Sequence, residues 1–140
     1  MSPFDTTNLD VQDLKTDECR QLLRETSVGR LATRGGDAPN IRPVNFVLRD
    51  DQLVIRTGDG EILAAARRGE MASFEVDAID PLEHTGWSVV VVGVLLELPT
   101  DDEHLALPLR PWASGIKDRF AGLSLDQVSG LRIPPGRGKR

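Results

Sequence analysis

Hydrophobic and polar residues alternate along much of the chain, and glycine-containing turns separate the alternating stretches. A period of two predicts β-strands that bury one face. We expect strands at residues 30–33, 39–48, 52–57 and 71–76. Pro43 restricts the second of these to a sheet edge or a bulge, because proline has no backbone N–H to donate.

The second half of the chain carries the longest apolar segment. Residues 87–98 are apolar at almost every position, which is typical of a central barrel strand that is packed inside and covered outside. We expect residues 77–86, which contain Pro81, to form the loop before it. Residues 120–123 and 128–133 predict a final hairpin.

Three segments have helical signals instead. Thr16 precedes two acids and predicts the N-cap of a helix over residues 17–26. An alanine-rich stretch predicts a helix over residues 61–68, which Gly69 ends. Thr100 to Glu103 reads as a capping box, with a helix to about residue 107. Six or seven short strands with two or three helices and short loops favour a mostly β, antiparallel small barrel.

The length of 140 residues fits one domain with its own core. We expect a flexible N-terminal arm over residues 1–13 and a single barrel domain over residues 14–133. Residues 134–140 are basic and rich in proline and glycine, which predicts a disordered tail.

Composition excludes several classes of function. The net charge is −5 and aromatic residues make up 4%, which argues against nucleic acid or anionic membranes as partners. The apolar run at residues 89–96 is far shorter than the roughly 20 residues of a membrane helix. Cys19 is the single cysteine and residues 1–8 do not resemble a signal peptide, so we expect a cytoplasmic protein.

The residues that usually carry chemistry are few. We expect His84 and His104 to be solvated surface residues and Cys19 to be a buried apolar residue. Nothing in the spacing of histidines, cysteines and acids indicates a metal site. The acids before Trp87 predict a solvated face; they are Glu75, Asp77, Asp80 and Glu83. Catalytic residues therefore stay unassigned, and chemistry in this chain would come from a bound cofactor.

The glycine turn at residues 57–61 is the best candidate for a ligand contact. It leaves a strand at Thr57 and enters a helix at Glu61, so several backbone amides there lack helical partners. Such amides stabilise a phosphate, with help from the Thr57 hydroxyl and the charge of Arg56. A plain strand-to-helix turn explains the same residues equally well, and the acid Glu61 already complements the helix dipole.

Several short motifs together carry a family resemblance. In chain order they are Val28-Gly29-Arg30-Leu31-Ala32-Thr33, Pro43-Val44-Asn45-Phe46, Arg56-Thr57-Gly58-x-Gly60, Phe74-Glu75-Val76-Asp77 and Thr85-Gly86-Trp87-Ser88-Val89. This order resembles the pyridoxamine 5′-phosphate oxidase-like family of FMN-binding split-barrel proteins. The nearest branch includes flavin and deazaflavin oxidoreductases similar to nitroimidazole reductases, and the similarity spans residues 16–133.

The resemblance implies a six-stranded antiparallel split β-barrel that forms a homodimer, with FMN in a cleft at the subunit interface. It further implies an FMN-dependent oxidoreductase that acts on a small-molecule substrate. The implied cofactor-binding residues are Arg30, Pro43, Val44, Asn45, Phe46, Arg56, Thr57, Gly58, Gly60, Trp87 and Ser88. Within this set, the stretch from Pro43 to Phe46 would flank the flavin ring, largely through backbone groups. The turn from Arg56 to Gly60 would face the ribityl phosphate.

One position departs from the family pattern. Relatives usually place a phosphate-binding lysine where this chain has Ile62, which offers neither a donor nor a charge. Losing a charge-assisted contact of about 1.5–3 kcal/mol weakens FMN binding by about one to two powers of ten. Two alternatives therefore stay open, namely the deazaflavin F420 as cofactor, or a non-catalytic protein that binds a flavin or nucleotide.

Overall fold

The computed structural model describes residues 11–109 and 118–135, which form eight strands and three helices. The strands are β1 (Gln12–Asp13), β2 (Val28–Thr33), β3 (Asn40–Arg49), β4 (Gln52–Thr57), β5 (Met71–Asp80), β6 (Thr85–Leu98), β7 (Arg119–Ser124) and β8 (Gln127–Ile133). The helices are α1 (Thr16–Glu25), α2 (Glu61–Arg68) and α3 (Asp102–Leu105).

Six strands close into an antiparallel barrel. The order runs β6, β5, β2, β3, β4, β7 and returns to β6. Strand β6 closes the ring because its second half, from Leu95 to Leu98, pairs with β7. Its first half pairs with β8, which in turn pairs with β1, so these two strands extend the sheet beyond the barrel. The prediction of a mostly β, six-stranded antiparallel barrel is confirmed.

The barrel interior is filled with side chains. Phe46 and Phe74 meet edge to face at its centre, with ring centroids 4.8 Å apart. Helix α1 packs Cys19 and Leu23 against this core, and α2 buries one apolar face on it. A second, smaller cluster on the other face of β4 joins Val54, Phe120 and Leu109. Ligands must therefore bind on the outside of the barrel.

The hairpin of β5 and β6 is longer than the sequence predicts. Residues 77–80 and 85–86, assigned above to a loop, continue the two strands, and the register joins Asp80 to Thr85. The turn is short because Asp80 Oδ1 accepts hydrogen bonds from the amides of Leu82 and Glu83, at 3.0 and 3.2 Å. The paired strands therefore extend into a segment whose proline and acidic residues had predicted a loop.

Two predicted helix caps are shifted by one residue. Helix α1 begins after Lys15, and Glu18 Oε1 accepts a hydrogen bond from the Lys15 amide at 2.9 Å. In α3 the cap is Asp101, whose carboxylate accepts from the amide of His104 at 2.9 Å. The predicted cap Thr100 instead donates to the carbonyl of Asp118. In α3 the cap is therefore the side chain that reaches an unpaired amide, whereas in α1 the acid of the first turn accepts from the cap residue's own amide.

Other local predictions are confirmed. Gly69 ends α2 in the left-handed conformation, at φ 65° and ψ 38°. Pro43 pairs with β2 only, because pairing of β3 with β4 begins at Phe46.

Of the predicted arm, Gln12 and Asp13 pair with β8. Residues 1–10, the connector with Trp112 and the tail at 136–140 lie outside the described residues.

Candidate functional site

The outer face of the barrel collects several of the predicted cofactor residues. Alternation along β2, β3 and β6 directs Arg30, Asn45 and Ser88 away from the core. The register places Arg30 opposite Pro43 on one side and opposite Glu75 on the other. On β6, Ser88 lies opposite Asp77 of β5. Polar side chains of four neighbouring strands thus share one surface.

Two carboxylates and one guanidinium form a cluster on this surface. Arg30 Nη1 lies 3.4 Å from Glu75 Oε1 and 3.7 Å from Asp77 Oδ2. Desolvation, followed by the hydrogen bond and charge of Asp77, raises the pKa of Glu75 to about 7, although Arg30 acts in the opposite direction. Glu75 can therefore hold a proton near neutral pH. The prediction of a solvated face is wrong for these two acids and right for the exposed Asp80 and Glu83.

The stretch from Pro43 to Phe46 presents alternate residues to opposite sides. Val44 and Phe46 are buried in the core, with 6% and 2% of their surfaces exposed. Asn45 faces outward, and its Nδ2 donates to the carbonyl of Ser27 at 3.3 Å. Any ligand on the outer face can therefore reach the side chains of Pro43 and Asn45 but only the backbone of Val44 and Phe46.

The turn between β4 and α2 offers unpaired amides. The first helical hydrogen bond of α2 runs from the amide of Ala64 to the carbonyl of Gly60, at 2.9 Å. The three amides before Ala64 therefore lack helical partners, which suits a phosphate or another anion. A Cβ at Gly60 would meet nothing within 4 Å, so a ligand can approach the backbone there. The Glu61 carboxylate is paired with Arg68 at 3.2 Å.

Arg56 and Thr57 point to different sides of β4. The Arg56 guanidinium lies over the ring of Phe120, with its central carbon 5.7 Å from the ring centroid. The Thr57 hydroxyl donates to the carbonyl of Gly58 at 3.4 Å. Of the two side chains, Thr57 is the one that adjoins the turn with its unpaired amides.

Ile62 belongs to the core. Its side chain packs in the main hydrophobic cluster, and 8% of its surface is exposed. The structure thus gives this position a packing role, and a lysine there would have to carry its ammonium out of apolar surroundings. The nearest cations along α2, Arg67 and Arg68, are already engaged with Glu97 and with Glu61 and Glu70.

Trp87 lies on the face opposite to Ser88. Strand alternation directs its side chain to the face of β6 that packs on the core, at the end where the sheet of β5, β6 and β8 extends past the barrel. It forms part of a largely apolar cleft of about 450 Å³. The lining consists of Ala78, Ile79, Asp80, Thr85, Gly86, Trp87, Arg132, Ile133, Pro134 and Pro135. Because the sheet separates them, a single ligand cannot contact the side chains of both Trp87 and Ser88 within one chain.

The histidines and the cysteine bring no second site. His84 is exposed, as predicted. His104 is not solvated as predicted, because its ring packs on Phe120 with ring centroids 5.3 Å apart and its Nδ1 lies 2.9 Å from Asp101 Oδ1. Burial raises the pKa of the Cys19 thiol, which suits a packing role. Within the described ranges, no cluster of three or more His, Cys, Asp or Glu could hold a metal ion.

The described helices are also too short or too polar to cross a membrane.

Comparison with known proteins identifies the family. A profile described as pyridoxamine 5′-phosphate oxidase matches residues 15–135, most of the chain. The chain belongs to the pyridoxamine 5′-phosphate oxidase family. An uncharacterised Mycobacterium tuberculosis protein is 33% identical over 132 residues, which cover 89% of this chain and 86% of the relative. The resemblance stated from the sequence motifs is thereby confirmed.

Two solved structures show how closely the family fold is kept. A conserved Corynebacterium diphtheriae protein of unknown function is 29% identical, with a TM-score of 0.73, over 89% of this chain and 99% of that one. An FAD-binding protein of Mycobacterium smegmatis is 27% identical, with a TM-score of 0.67, over 89% of this chain and 99% of that one.

Sequence reasoning missed part of the outer surface. Glu75 and Asp77 were assigned to a strand end and a loop, and their contact with Arg30 joins residues 45 positions apart. Arg132, which lies opposite Trp87 in the register of β6 and β8, was not singled out either. The alternation of Phe74, Glu75, Val76 and Asp77 was the available signal, since it continues the strand by one further residue.

Proposed function

We propose that this chain binds a flavin nucleotide between two copies of itself and uses it to oxidise or reduce a small molecule. The observation that carries the proposal is the similarity to the FAD-binding protein of Mycobacterium smegmatis, which extends over nearly the whole of both chains. Membership of the pyridoxamine 5′-phosphate oxidase family over residues 15–135 supports it. A bound flavin would supply the hydride or electron transfer for which the chain has no group of its own.

The residues of the outer face fit a flavin nucleotide. The amides before Ala64 and the Thr57 hydroxyl would bind the phosphate. The outward side chains of Pro43 and Asn45 would lie along the ring, as expected from the sequence. Glu61 does not oppose the phosphate strongly, because Arg68 neutralises its carboxylate. Ile62 packs in the core and supplies no contact to the phosphate, so the amides and the Thr57 hydroxyl would have to bind it.

A second copy of the chain would complete the site. The outer face of β2, β3 and β5 carries three well-exposed apolar side chains, Val28, Ile41 and Met71, with 36%, 68% and 54% of their surfaces accessible. Exposed apolar side chains that share one face are typical of a protein–protein interface. The register places these side chains on the same face as Arg30, Asn45 and Glu75. Dimerisation through this face would also let the Trp87 cleft of one copy approach the flavin of the other. The opposite orientations of Trp87 and Ser88 are then both used.

The acid pair would act on protons. Glu75 and Asp77 share a face with Arg30 and Ser88, so a flavin bound there lies near a group that holds a proton at neutral pH. The guanidinium of Arg30 would stabilise the ionised form of Glu75 when the proton leaves. This arrangement suits proton donation to a substrate that accepts a hydride.

The proposal is tested by cofactor content and activity. Protein purified without added cofactor should be yellow, and denaturation should release FMN or FAD that chromatography identifies. Reduction of the bound flavin by a nicotinamide donor, followed by reoxidation with an added acceptor, supports the oxidoreductase. A colourless protein that binds F420 but no flavin rejects the flavin proposal. A bound flavin that cannot be cycled leaves the non-catalytic binding role.

The dimer is tested separately by light scattering. Ile41→Glu places a charge on the proposed interface, and we expect it to halve the molar mass and to lower flavin affinity at least tenfold. Leu105→Glu is the matched control, because Leu105 is 41% exposed and lies on α3 rather than on β2, β3 or β5. Equal molar masses for the wild type and both variants would reject the proposed interface.

A further inference from the structure

The cleft beside Trp87, which we call the Trp87 cleft, contains a row of side chains that crosses four strands. The register places Trp87 opposite Ala78 of β5 on one side and opposite Arg132 of β8 on the other. Arg132 in turn lies opposite Gln12 of β1. Residues that face each other in antiparallel strands share one side of the sheet, with Cβ atoms about 4.5–5.5 Å apart. The row therefore changes from a methyl group and an indole ring at one end to a guanidinium and an amide at the other.

Arg132 is a cation without a charge partner in this row. It is half-buried and forms no ion pair with any of residues 11–109 or 118–135. Asp80 also lines the cleft, but it lies on β5, two strands and so about 10 Å away from Arg132. Over that distance water and salt screen most of the interaction. The Asp80 carboxylate also accepts the two turn amides through Oδ1. An anion beside Arg132 therefore meets one uncompensated positive charge.

The remainder of the cleft wall suits a flat apolar body. Ile133, Pro134 and Pro135 continue the wall beyond Trp87. The indole and the proline rings are stiff, so a flat ring can lie against them with little loss of side-chain freedom. The volume of about 450 Å³ falls within the range of about 300–1,000 Å³ that is usual for small-molecule sites. The cleft thus combines an apolar wall with a single cation at its edge.

We propose that the Trp87 cleft binds the substrate, and that this substrate is a flat, apolar molecule with one carboxylate. Its ring would lie against the indole of Trp87, and its carboxylate would accept two hydrogen bonds from Arg132. The role as substrate rests on the proposed flavin function, in which the cleft of one copy approaches the flavin of the other.

The same cleft disfavours pyridoxamine 5′-phosphate, the substrate that the family name suggests. A phosphate monoester carries about two negative charges, and the cleft offers one guanidinium. The polar groups on the pyridine ring would also lose water against an apolar wall that gives them few hydrogen-bond partners. The lining therefore favours a monocarboxylate with an apolar ring.

Direct binding to the full-length protein tests the inference without any turnover. Calorimetric titration compares 2-naphthoate with its neutral analogue 2-naphthamide and with pyridoxamine 5′-phosphate. Arg132→Gln is the test variant, because it removes the charge and keeps a polar side chain. Arg132→Lys keeps the charge but not the planar fork, and it provides a second test if the glutamine variant is unstable. Arg34→Gln is the matched control, since it removes the same charge from an exposed position on the β2–β3 turn.

Wild-type protein should bind 2-naphthoate with a Kd of about 1 mM or below, and about tenfold to a hundredfold more tightly than 2-naphthamide. Arg132→Gln should lower this preference to below about threefold while the affinity for 2-naphthamide stays within about twofold. Arg132→Lys should give an intermediate preference, and Arg34→Gln should change nothing. Absence of 2-naphthoate binding, a preference that survives Arg132→Gln, or tighter binding of pyridoxamine 5′-phosphate would each overturn the inference.

Failure of the proposed function gives a different result. Where the protein holds a flavin, 2-naphthoate should change the flavin absorption spectrum, and Arg132→Gln should weaken this response. Binding of 2-naphthoate that leaves the spectrum unchanged overturns its assignment to the substrate position. If no flavin binds, the flavin proposal is rejected, and the calorimetric preference alone decides whether the cleft takes a flat carboxylate. A flavin protein without that preference keeps the proposed function and overturns the inference.

Discussion

The raised pKa of Glu75 makes stability depend on pH in a definite direction. Burial and the neighbouring Asp77 raise the pKa of Glu75 from 4.5 to about 7 in the folded chain. Between these two values the unfolded chain loses a proton that the folded chain keeps. The free energy of unfolding therefore falls as the pH rises through this window, and it is lowest above about pH 7.

The magnitude follows from the same displacement. For a fully buried carboxyl, a pKa change from 4.5 to about 7 corresponds to about 3.4 kcal/mol. The Glu75 side chain is 33% exposed and lies beside Arg30, so water and the cation reduce the penalty. We expect about 1–2 kcal/mol in practice. Glu75→Gln, which keeps the shape without the charge, should therefore stabilise the protein by this amount at pH 8 and by less than about 0.5 kcal/mol at pH 4.5.

Urea unfolding followed by circular dichroism at both pH values measures the difference. Asp37→Asn is the control, since it removes one exposed carboxylate from the β2–β3 turn and should have the same small effect at both values. Each titration is repeated at two protein concentrations, so that a contribution from association is recognised. A Glu75→Gln effect that does not change between pH 4.5 and pH 8 would refute the reasoning.

Further substitutions test the packing on which the site depends. Gly93→Ala would place a Cβ 1.8 Å from the Ser124 carbonyl oxygen, so it should lower the free energy of unfolding by about 3 kcal/mol or more, which thermal unfolding measures as a lower melting temperature. Gly36→Ala is the control, because a Cβ there lies in open space and should cost less than about 1 kcal/mol. Ile62→Lys should lower the free energy of unfolding in urea by about 2 kcal/mol or more and should not tighten FMN binding, while Ile62→Met should cost under about 1.5 kcal/mol. Stable Ile62→Lys protein with higher FMN affinity would contradict the core assignment. Gly69→Ala should cost about 1 kcal/mol by thermal unfolding, because its φ is 65° although the space around it is open, and an unchanged melting temperature would argue against the left-handed cap.

Most of the barrel could be predicted because its signals are local. Alternation identified β2 to β4, and alanine followed by Gly69 identified α2 with its end. The β5–β6 hairpin was predicted too short, since acids and a proline are poor strand formers and the pairing that overrides them lies on the partner strand. His104 was predicted to be solvated because its packing on Phe120 joins residues far apart in the chain.

The candidate site was predicted less completely for the same reason. The turn with Thr57 and Gly60 is contiguous and carries its own pattern, so the sequence could indicate it. Arg30 was identified through a family resemblance, but its contact with Glu75 depends on the register of β2 and β5. Likewise, the row that joins Trp87 to Arg132 depends on the register of β6 and β8, which no local spacing encodes.

Closure of the ring through β7 has a consequence for how the chain reaches its native state. Strand β7 begins at Arg119 and pairs with both β4 and the end of β6, so the barrel cannot close until the last sixth of the sequence is available. A chain emerging from the ribosome would until then expose two unpaired strand edges, at which neighbouring nascent chains can associate. Joining residues so distant in sequence also makes folding slow. Truncation before residue 119 should therefore yield insoluble protein rather than a smaller folded domain.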